Sequence, residues 1–461
     1  MSESDRPLSP DVNALVEARD FAGLKAVVRD MDPADVADLI GEIEGEPLTM
    51  VFRLLPHGLA TDVFWRLEID QQEKLITELS SERAAALLRD MAPDDRTELL
   101  EELPGNVSQR LLNVLRGDER RIAQSLLAYP EESIGRLMTP EYVAVRPDWT
   151  IRKVLDHIRE VAPTKETISV VYVVDEYWKL LDEIRLERVV LADPEEKVTQ
   201  LMDGTVASLL ATEDQEAAVE LFKKYDVVAL PVVDQKGVLV GIVTFDDVMD
   251  VAEAESTEDF QKMSGMDPLG YSYFGTGWLR MLGKRLPWLM MLLGAQMLAT
   301  LALTSFHAVP LFAVLVVFVP LINSPAGNTG SQMAGLMVRG LALQEMDLSD
   351  WGRIVSRELL RGLTIGLVLG VVGYGAAYIF APLAGADVGA ELPRIAVSVA
   401  LAIAVAVTLA NLVGAMLPFA FQRFGLDPAV TSGPFIASMM DVSGIVIYFG
   451  IATALLAASL G

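Results

Sequence analysis

The chain of 461 residues contains no cysteine and only three histidines. The absence of cysteine excludes disulfide bonds and thiolate metal sites, and it is compatible with a reducing compartment. Three histidines leave little room for a zinc site, because zinc in proteins is held largely by cysteine and histidine. Residues 1–20 also lack the basic and then apolar pattern of a secretory signal, so membrane targeting is expected from the C-terminal third.

Basic residues are scarce in the first 277 residues. Nine of the 37 Lys and Arg residues and eight of the 64 Asp and Glu residues lie from Trp278 onward, which leaves 28 basic and 56 acidic residues before it. This acidic part argues against nucleic acid as a partner and suits either cations or plain solubility. No P-loop, no convincing Ser/His/Asp set and no metal-hydrolase motif is present, so an enzyme is not expected.

An apolar residue recurs every twelve positions in the N-terminal part of the chain. The recurring positions are Met31, Ile43, Leu55, Leu67, Leu79, Met91, Leu103, Leu115 and Leu127. Apolar pairs such as Leu75-Ile76 follow at fixed offsets, and turn residues such as Pro93-Asp94 separate the units. Repeats of fixed period stack into helical solenoids, so we predict one over residues 11–132, after a polar tail at 1–10. The alternative is an irregular helical domain with an accidental register.

Residues 133–247 show the pattern of a second, α/β module. The segment 168–176 is rich in β-branched residues and predicts a strand, and a helix at 215–225 is followed by strands at 229–233 and 238–244. Four short motifs resemble a tandem pair of CBS domains: Met138-Thr139-Pro140, Tyr172–Asp175, Met202-Asp203 and Pro231–Asp234.

The resemblance to CBS pairs implies a candidate nucleotide site. Such pairs commonly bind adenine nucleotides through a Thr/Ser-x-x-Asp pattern at the end of the last strand. Thr244 and Asp247 keep this pattern, whereas Arg188 replaces the acid in the first repeat. We therefore expect at most one ATP per protomer, with Thr244, Asp247 and Tyr172 as its candidate contacts.

A connecting segment at 248–277 begins with a predicted acidic helix that extends to about Met263. Asp247, Asp250 and Glu258 share one face of this helix, and Glu255 and Asp259 lie beside them. One interpretation is a solvated acidic linker. The other is a helix that couples the N-terminal body to a pore, because the segment leads into the apolar third of the chain.

Five apolar stretches are long enough to cross a membrane, which needs about 20 residues. They are Leu286–Leu303, Leu311–Val338, Leu363–Phe380, Ile395–Phe419 and Phe435–Leu456. Arg280, Lys284 and Arg285 precede the first, so the positive-inside rule places the N-terminal body in the cytoplasm. The odd number of spans then places the C-terminus outside the plasma (cell inner) membrane.

The last stretch carries one charge, Asp441, near its middle. An isolated carboxylate at that depth costs about 2.5–3.5 kcal/mol on insertion scales and usually faces a protein interior or a water path. The second stretch is expected to break at Pro320–Gln332, and the fifth opens irregularly at Thr431–Pro434, so we expect unpaired carbonyl groups that line a cation path. The alternative is a carboxylate that is protonated or hydrogen-bonded to another helix.

Hard divalent cations prefer such oxygen ligands, and Mg²⁺ keeps several of its waters. One acid per chain is thin for a divalent ion, so a symmetric pair across a two-fold axis is attractive.

Four motifs in this order give a specific resemblance. They are TFDDVMDVAEAESTEDFQKM, PLINSPAGNTGSQ, ANLVGAMLP and LDPAVTSGPFIASMMDVSGIVIYF. Together with the repeat and the CBS pair, they resemble the MgtE family of magnesium channels across essentially the whole chain. The resemblance implies a homodimer in the membrane, with a pore lined by the second and fifth spans and Mg²⁺ held at Asp441, near Asn328 and Gly327. Ala326 stands where the family usually has glycine, which would stiffen the filter entrance.

The resemblance also implies a cytosolic Mg²⁺ sensor. Its acids fall on Asp214, Glu216, Asp226, Asp247, Asp250, Glu255, Glu258 and Asp259. The acidic body would repel itself without a cation, and bound Mg²⁺ would draw its modules together and close the pore.

The expected fold class is a multidomain membrane protein with an α-helical solenoid N-domain, an α/β tandem CBS pair, a connecting plug helix and a five-span α-helical transmembrane domain at 278–461. The expected function is a magnesium-selective channel that carries Mg²⁺ into the cytoplasm and closes when cytosolic Mg²⁺ binds the sensor. One alternative is a proton- or sodium-coupled secondary transporter of divalent cations. Another is a non-conducting membrane-tethered sensor of nucleotide or metal. Mg²⁺, ATP, membrane lipid and a second copy are the expected ligands and partners.

Overall fold

The computed structural model describes residues 21–28, 31–41, 46–67, 69–269, 276–342, 345–383 and 389–457. The chain divides into two compact units, Met1–Glu255 and Ser256–Gly461.

The N-terminal part of the first unit is built from short helices that begin about every twelve residues. They are α1 Phe21–Val28, α2 Pro33–Gly41, α3 Glu46–Phe52, α4 His57–Phe64, α5 Ile69–Glu78, α6 Ser81–Asp90, α7 Pro93–Glu102, α8 Gly105–Val114 and α9 Gly117–Leu126. Proline, serine or glycine at or next to the first residue of most of these helices explains why each ends one unit and begins the next.

The structure confirms the twelve-residue register as that of one hydrophobic core. Leu55, Leu67, Leu79 and Leu103 are all buried, and Leu75-Ile76 and the equivalent pairs fill the same core. Ile43 lies outside the described residues. Because each helix spans only about two and a half turns, its stability depends on packing against its neighbours in the stack.

Two three-stranded sheets follow, and they repeat one topology. The strands are β1 Val143–Val145, β2 Val170–Val174, β3 Leu180–Arg185, β4 Leu209–Leu210, β5 Ala229–Val233 and β6 Leu239–Thr244. In each sheet the middle strand pairs in parallel with the first and antiparallel with the third, and each carries a register shift at the end of its middle strand. This internal symmetry is the tandem pair that the sequence predicted.

Helices surround these sheets and lead out of the unit. They are α10 Ile134–Leu137, α11 Ile151–Val161, α12 Leu186–Leu191, α13 Val198–Leu201, α14 Glu216–Tyr225 and α15 Phe245–Met263. Helix α15 begins directly after β6, so the end of the second sheet fixes where this acidic helix starts.

Five helical segments of the second unit are long and apolar enough to cross a membrane. They comprise α16 Trp278–Ser305, α17 Phe312–Leu315 with α18 Val319–Ala342, α19 Trp351–Leu383, α20 Leu392–Arg423 and α21 Gly433–Ala457. These agree with the five predicted spans, although α19 begins at Trp351 rather than at Leu363.

The expected break of the second span at Pro320–Gln332 is wrong. Helix α18 runs without interruption from Val319 to Ala342, and the irregular part lies before it, where α17 passes into a 3₁₀ turn at Val316–Phe318. Pro325 is accommodated within the helix and removes only the N–H donor that the carbonyl of Leu321 would receive.

The glycines of α18 serve close packing instead. A Cβ at Gly330 would lie 2.7 Å from Ile436 Cγ2 of α21 and 3.1 Å from the carbonyl oxygen of Ala410 in α20. A Cβ at Gly414 would overlap the carbonyl oxygen of Gly330. Small residues let α18, α20 and α21 approach one another at backbone distance, as is common in membranes.

A buried carboxylate joins α19 to α20. Glu358 is 4% exposed, and Asn411 Nδ2 donates to its Oε2 at 3.0 Å and to its carbonyl oxygen at 2.9 Å. Arg361 donates to its other carboxylate oxygen at 2.5 Å. The asparagine of the ANLVGAMLP motif, Asn411, is therefore a hydrogen-bond donor to a buried acid that the sequence did not indicate.

Candidate functional site

Asp441 lies at the centre of the candidate site in the membrane unit. It is half-buried in α21, and a side chain of α18 bonds to its backbone: Asn323 Nδ2 donates to the carbonyl oxygen of Asp441 at 3.1 Å. Asn323 lies within Pro320–Gln332, which the sequence predicts to be irregular, so no helical periodicity points to it. Its position only becomes meaningful once α18 is known to be continuous.

Polar side chains form an exposed stripe along α18. Ser324, Asn328 and Gln332 are spaced four residues apart, and all three are exposed in the single chain. We call these three residues the polar stripe. Polar groups in contact with hydrocarbon are costly, so this face requires either water or another protein surface.

Gly327 lies behind the polar stripe, against α21. A Cβ at this position would meet Ala437 at 3.3 Å, and Ser331 Oγ donates to the carbonyl oxygen of Gly433 at 2.9 Å. The structure therefore brings Gly327 to the fifth span, while Asn328 is exposed on the polar stripe.

The end of α15 is held by an ion pair network inside the second unit. Lys262 Nζ lies 2.7 Å from Asp427 Oδ2, in the turn that precedes α21, and it also pairs with Glu258. Burial works against the charged ammonium, but these two carboxylates together raise the pKa of Lys262 above its usual value. One cation thus bridges a predicted sensor acid and Asp427, which the sequence analysis had not named.

Five aspartates of the first unit are close enough to repel one another. Asp94 and Asp95 lie in the first turn of α7, and Asp246, Asp247 and Asp250 lie in the first two turns of α15. We call these five residues the acidic cluster. Asp94 is 7% exposed, and its Oδ1 is buried with no hydrogen-bond partner among the described residues.

The pKa values of the acidic cluster reflect this crowding. Burial and then repulsion by Asp247 raise the pKa of Asp94 well above its usual value. Burial, Asp246 and Asp250 raise the pKa of Asp95 to about 6, although Arg66 opposes the shift. Burial raises the pKa of Asp247 to about 7, against a hydrogen bond from Thr244. A cation would be favoured here because it replaces repulsion by attraction.

The remaining predicted sensor acids lie apart from the acidic cluster. Asp214 and Glu216 are exposed at the start of α14, where Asp214 Oδ1 accepts from the Glu216 N–H at 2.9 Å. Between them, Gln215 donates to Glu255 Oε1 of α15 at 2.9 Å. Asp226 is exposed in a left-handed conformation at the end of α14, and Asp259 is half-buried on α15.

Among the residues that the structure describes, no three Asp, Glu or His side chains are already arranged to hold a metal ion. The predicted acids are therefore grouped by element, in pairs and in the acidic cluster, rather than as a closed coordination shell.

The candidate nucleotide residues do not line the main cavity of the CBS pair. Thr244 donates its hydroxyl to Asp247, and Tyr172 is fully buried with an edge-to-face contact to Tyr142. A cavity of about 610 Å³ lies instead between the two repeats, lined by Arg185–Glu187 of the first and Asp226–Ala229 of the second. Arg188 points away from it, because its guanidinium donates to the carbonyl oxygen of Leu201 at 2.7 Å.

The charges around this cavity are mostly negative. Glu183, Glu187 and Asp226 line it together with a single guanidinium, that of Arg185, while valines and leucines form most of the remaining wall. Burial and Asp182 raise the pKa of Glu183 to about 7, and its Oε2 is buried without a hydrogen-bond partner in the described part of the chain.

Comparisons with known families match all three parts of the chain. Residues 319–451 match the MgtE family, described as a divalent cation transporter, and residues 31–132 match the MgtE intracellular N domain. Residues 134–194 and 198–254 each match the CBS domain.

Curated relatives cover nearly the full length. The magnesium transporter MgtE of Thermus thermophilus is 36% identical over 459 residues, which are 98% of this chain and 100% of that protein. The magnesium transporter MgtE of Bacillus subtilis is 31% identical over 441 residues, which are 95% of this chain and 94% of that protein.

A solved structure resembles the first unit. The cytosolic domain of the Mg²⁺ channel MgtE in complex with ATP is 36% identical, with a TM-score of 0.51, and the match covers 53% of this chain and 100% of that one.

Proposed function

Because the chain belongs to the MgtE family of divalent cation transporters, we propose that it conducts Mg²⁺ into the cytoplasm past Asp441. The observation that carries the proposal is the half-buried Asp441, the single charged residue of the apolar helix α21, next to the helix that bears the polar stripe. Carboxylate, amide and hydroxyl oxygens can hold the water shell of Mg²⁺, which that ion gives up reluctantly.

A pore between two copies follows from the exposure of the polar stripe. Ser324, Asn328 and Gln332 would face lipid in a lone chain, which is unfavourable at membrane depth. A two-fold axis next to α18 and α21 would place two stripes and two Asp441 carboxylates around one water path. We therefore propose a homodimer in which each copy supplies half of the ion site, with the C-terminus outside.

The driving force needs no chemical step. A membrane potential supplies about 2.3 kcal/mol per charge per 100 mV, and so about 4.6 kcal/mol for Mg²⁺. Inward conduction down this gradient is consistent with the absence of nucleotide-hydrolysis motifs from the sequence.

Gating is proposed to arise from the acids of α15 and its neighbours. The acidic cluster contains residues of both the solenoid and the start of α15. Gln215, between Asp214 and Glu216, is hydrogen-bonded to Glu255. Mg²⁺ that bridges these carboxylates through its waters would hold α15 in one position, and loss of Mg²⁺ would release it. The predicted boundaries at 132, 247 and 277 are the proposed limits of the moving parts.

Lys262 acts as a counter-ion for two carboxylates that Mg²⁺ could also bind in this scheme. Its ammonium already bridges Glu258 and Asp427, so cytosolic Mg²⁺ would compete with Lys262 for these two carboxylates. We propose that this competition helps to set the Mg²⁺ concentration at which the pore closes.

We propose that the cavity between the CBS repeats favours an uncharged nucleoside over a nucleoside triphosphate. Its volume of about 610 Å³ can hold a nucleoside, but three carboxylates face one guanidinium there. A triphosphate would add repulsion, whereas an uncharged nucleoside could donate hydrogen bonds to the unpaired Oε2 of Glu183. The related cytosolic domain was solved in complex with ATP, so ATP stays a candidate ligand of this chain.

The deciding experiment is Mg²⁺ uptake into liposomes that contain the purified chain, with Mg²⁺ on the cytosolic side varied. A channel gives steady single-channel current without a coupled ion, and its current falls as cytosolic Mg²⁺ rises. A secondary transporter gives flux that depends on a proton or sodium gradient, and a tethered sensor gives no flux. Either of the last two results contradicts the proposal.

A further inference from the structure

Asn323 is a buried amide at membrane depth that interacts with both the backbone carbonyl and the carboxyl group of Asp441. It is 9% exposed, its Nδ2 donates to the carbonyl oxygen of Asp441, and its Oδ1 is buried without a partner in the described chain. Burying an amide with half of its hydrogen-bonding capacity unused costs free energy of folding. Its presence here therefore indicates a specific role.

Gly444 makes room for this amide. A Cβ at position 444 would overlap Oδ1 of Asn323, so any other residue there would displace the side chain. Gly444 lies three residues after Asp441 on the same face of α21, so Asn323 contacts α21 at Asp441 and again one turn later, at Gly444. The amide and the glycine therefore form a fitted pair between the two helices.

The hydrogen bond from Asn323 to the carbonyl oxygen of Asp441 restricts the position of the Asp441 carboxylate along the axis of α21 and its direction around that axis. A helical carbonyl oxygen has a second lone pair available for such a donor in addition to its intrahelical bond. A rotation of α21 about its axis or a slide along α18 would break this bond and drive Gly444 out of contact with Asn323. The other α18–α21 bond, from Ser331 to the carbonyl oxygen of Gly433, lies more than two turns away.

We propose that Asn323 is a positioning residue that sets the place of the Asp441 carboxylate and thereby the preference of the pore for hydrated Mg²⁺. This inference rests on the proposed function of Asp441. Asn323 is not proposed as an ion ligand; it acts on Asp441, through the backbone of α21 and through its interaction with the carboxyl group. A hydrated ion is held by oxygens at a fixed spacing. A small displacement of both carboxylates therefore weakens the binding of an ion of one size more than that of another.

The test replaces the amide by a side chain of similar branching that cannot donate, Asn323→Leu. The measurement is cation uptake into liposomes by the full chain, over a range of Mg²⁺ and Ca²⁺ concentrations. We expect the Mg²⁺ concentration for half-maximal flux to rise about fivefold to tenfold, which corresponds to the loss of one hydrogen bond. The ratio of Mg²⁺ to Ca²⁺ flux should fall. Maximal Mg²⁺ flux should change much less.

Ser331→Ala is the matched control, because it removes the second hydrogen bond between the same helices without touching the Asp441 segment. Its half-maximal concentration and ion ratio should equal those of the wild type. Gly444→Ala provides a second route to the same displacement, and its effect should not add to that of Asn323→Leu. It carries the test if Asn323→Leu fails to assemble.

Several outcomes separate the possibilities. Unchanged half-maximal concentration and ion ratio in both Asn323→Leu and Gly444→Ala overturn the inference while leaving the proposed function intact. Equal loss of all cation fluxes, with the ion ratio preserved, also overturns it, because that pattern indicates fewer folded pores. Absence of Mg²⁺ flux in the wild type contradicts the proposed function itself.

Discussion

Removing a negative charge from the acidic cluster should stabilise the first unit when Mg²⁺ is absent. The variants are Asp95→Asn and Asp247→Asn, each of which keeps an oxygen acceptor and nearly the same shape. The hydroxyl of Thr244 can still donate to residue 247 after the exchange. What disappears is the cost of burying a charged carboxylate, together with the repulsion between α7 and the start of α15.

The magnitude follows from the pKa values. The pKa of Asp95 is raised from 3.8 to about 6, and that of Asp247 from 3.8 to about 7. Each unit corresponds to about 1.4 kcal/mol, so the ionised forms at pH 7.5 cost about 3–4 kcal/mol if nothing relaxes. Both side chains are partly exposed, and Arg66 and Arg96 lie nearby, so we expect a gain of about 1–2 kcal/mol per variant.

The sign of the pH dependence can be stated separately. A carboxyl group whose pKa is raised on folding binds its proton more tightly in the folded state. The free energy of unfolding therefore falls as the pH rises from about 4, the unfolded value, to about 7. In Mg²⁺-free buffer the wild type should unfold at a higher temperature at pH 5.5 than at pH 7.5, and the variants should show a smaller difference.

Thermal unfolding of the full chain in detergent, with and without Mg²⁺, measures these effects. At pH 7.5 without Mg²⁺, each variant should raise the first transition by a few degrees, at about 2–4 °C per kcal/mol. Millimolar Mg²⁺ should stabilise the wild type but not Asp247→Asn. Glu82→Gln, an exposed carboxylate on α6, is the control and should change neither value. A lower transition temperature for both aspartate variants in Mg²⁺-free buffer would refute the repulsion argument.

Three further predictions follow from other parts of the chain. Asp441→Ala should abolish Mg²⁺ flux while leaving dimer assembly unchanged, and Asp441→Asn should keep part of the flux; wild-type uptake by the alanine variant would exclude Asp441 as the ion site. Leu79→Asp should unfold the solenoid at a cost of several kcal/mol, because it buries an unpaired carboxylate, whereas Glu82→Ala should be nearly neutral; equal circular dichroism melts would contradict the register. Calorimetry should show adenosine binding at least tenfold more tightly than ATP, and Glu187→Lys should reduce that difference; tighter ATP binding by the wild type would show that the charge argument fails.

The solenoid and the five spans could be predicted because each rests on a repeated signal. Leu55, Leu67 and Leu79 mark one core by period alone, and a span of about 20 apolar residues leaves few alternatives. Contacts of the polar positions are not given by the period: Glu78 is exposed, yet it accepts a hydrogen bond from the buried Thr49 at 2.5 Å.

The details of the candidate site could not be predicted, because they depend on contacts between helices distant in sequence. Glycine and proline at Pro320–Gln332 indicated a broken span, yet packing against α20 and α21 keeps α18 helical. Asn323 and Asp441 are 118 positions apart, and Lys262 and Asp427 are 165 apart. Asp94 joins the acidic cluster only through the fold of the solenoid against the second sheet.

If the pore is shared between two copies, as we propose, a defective allele should be partly dominant. If the polar stripe closes a water path only against its counterpart, one chain with a damaged Asp441 spoils the site of the intact chain beside it. Random pairing of equal numbers of intact and damaged chains leaves about one quarter of the pores with two intact halves. A merodiploid cell that expresses both alleles should then take up Mg²⁺ more slowly than a cell with half the dose of the intact gene alone.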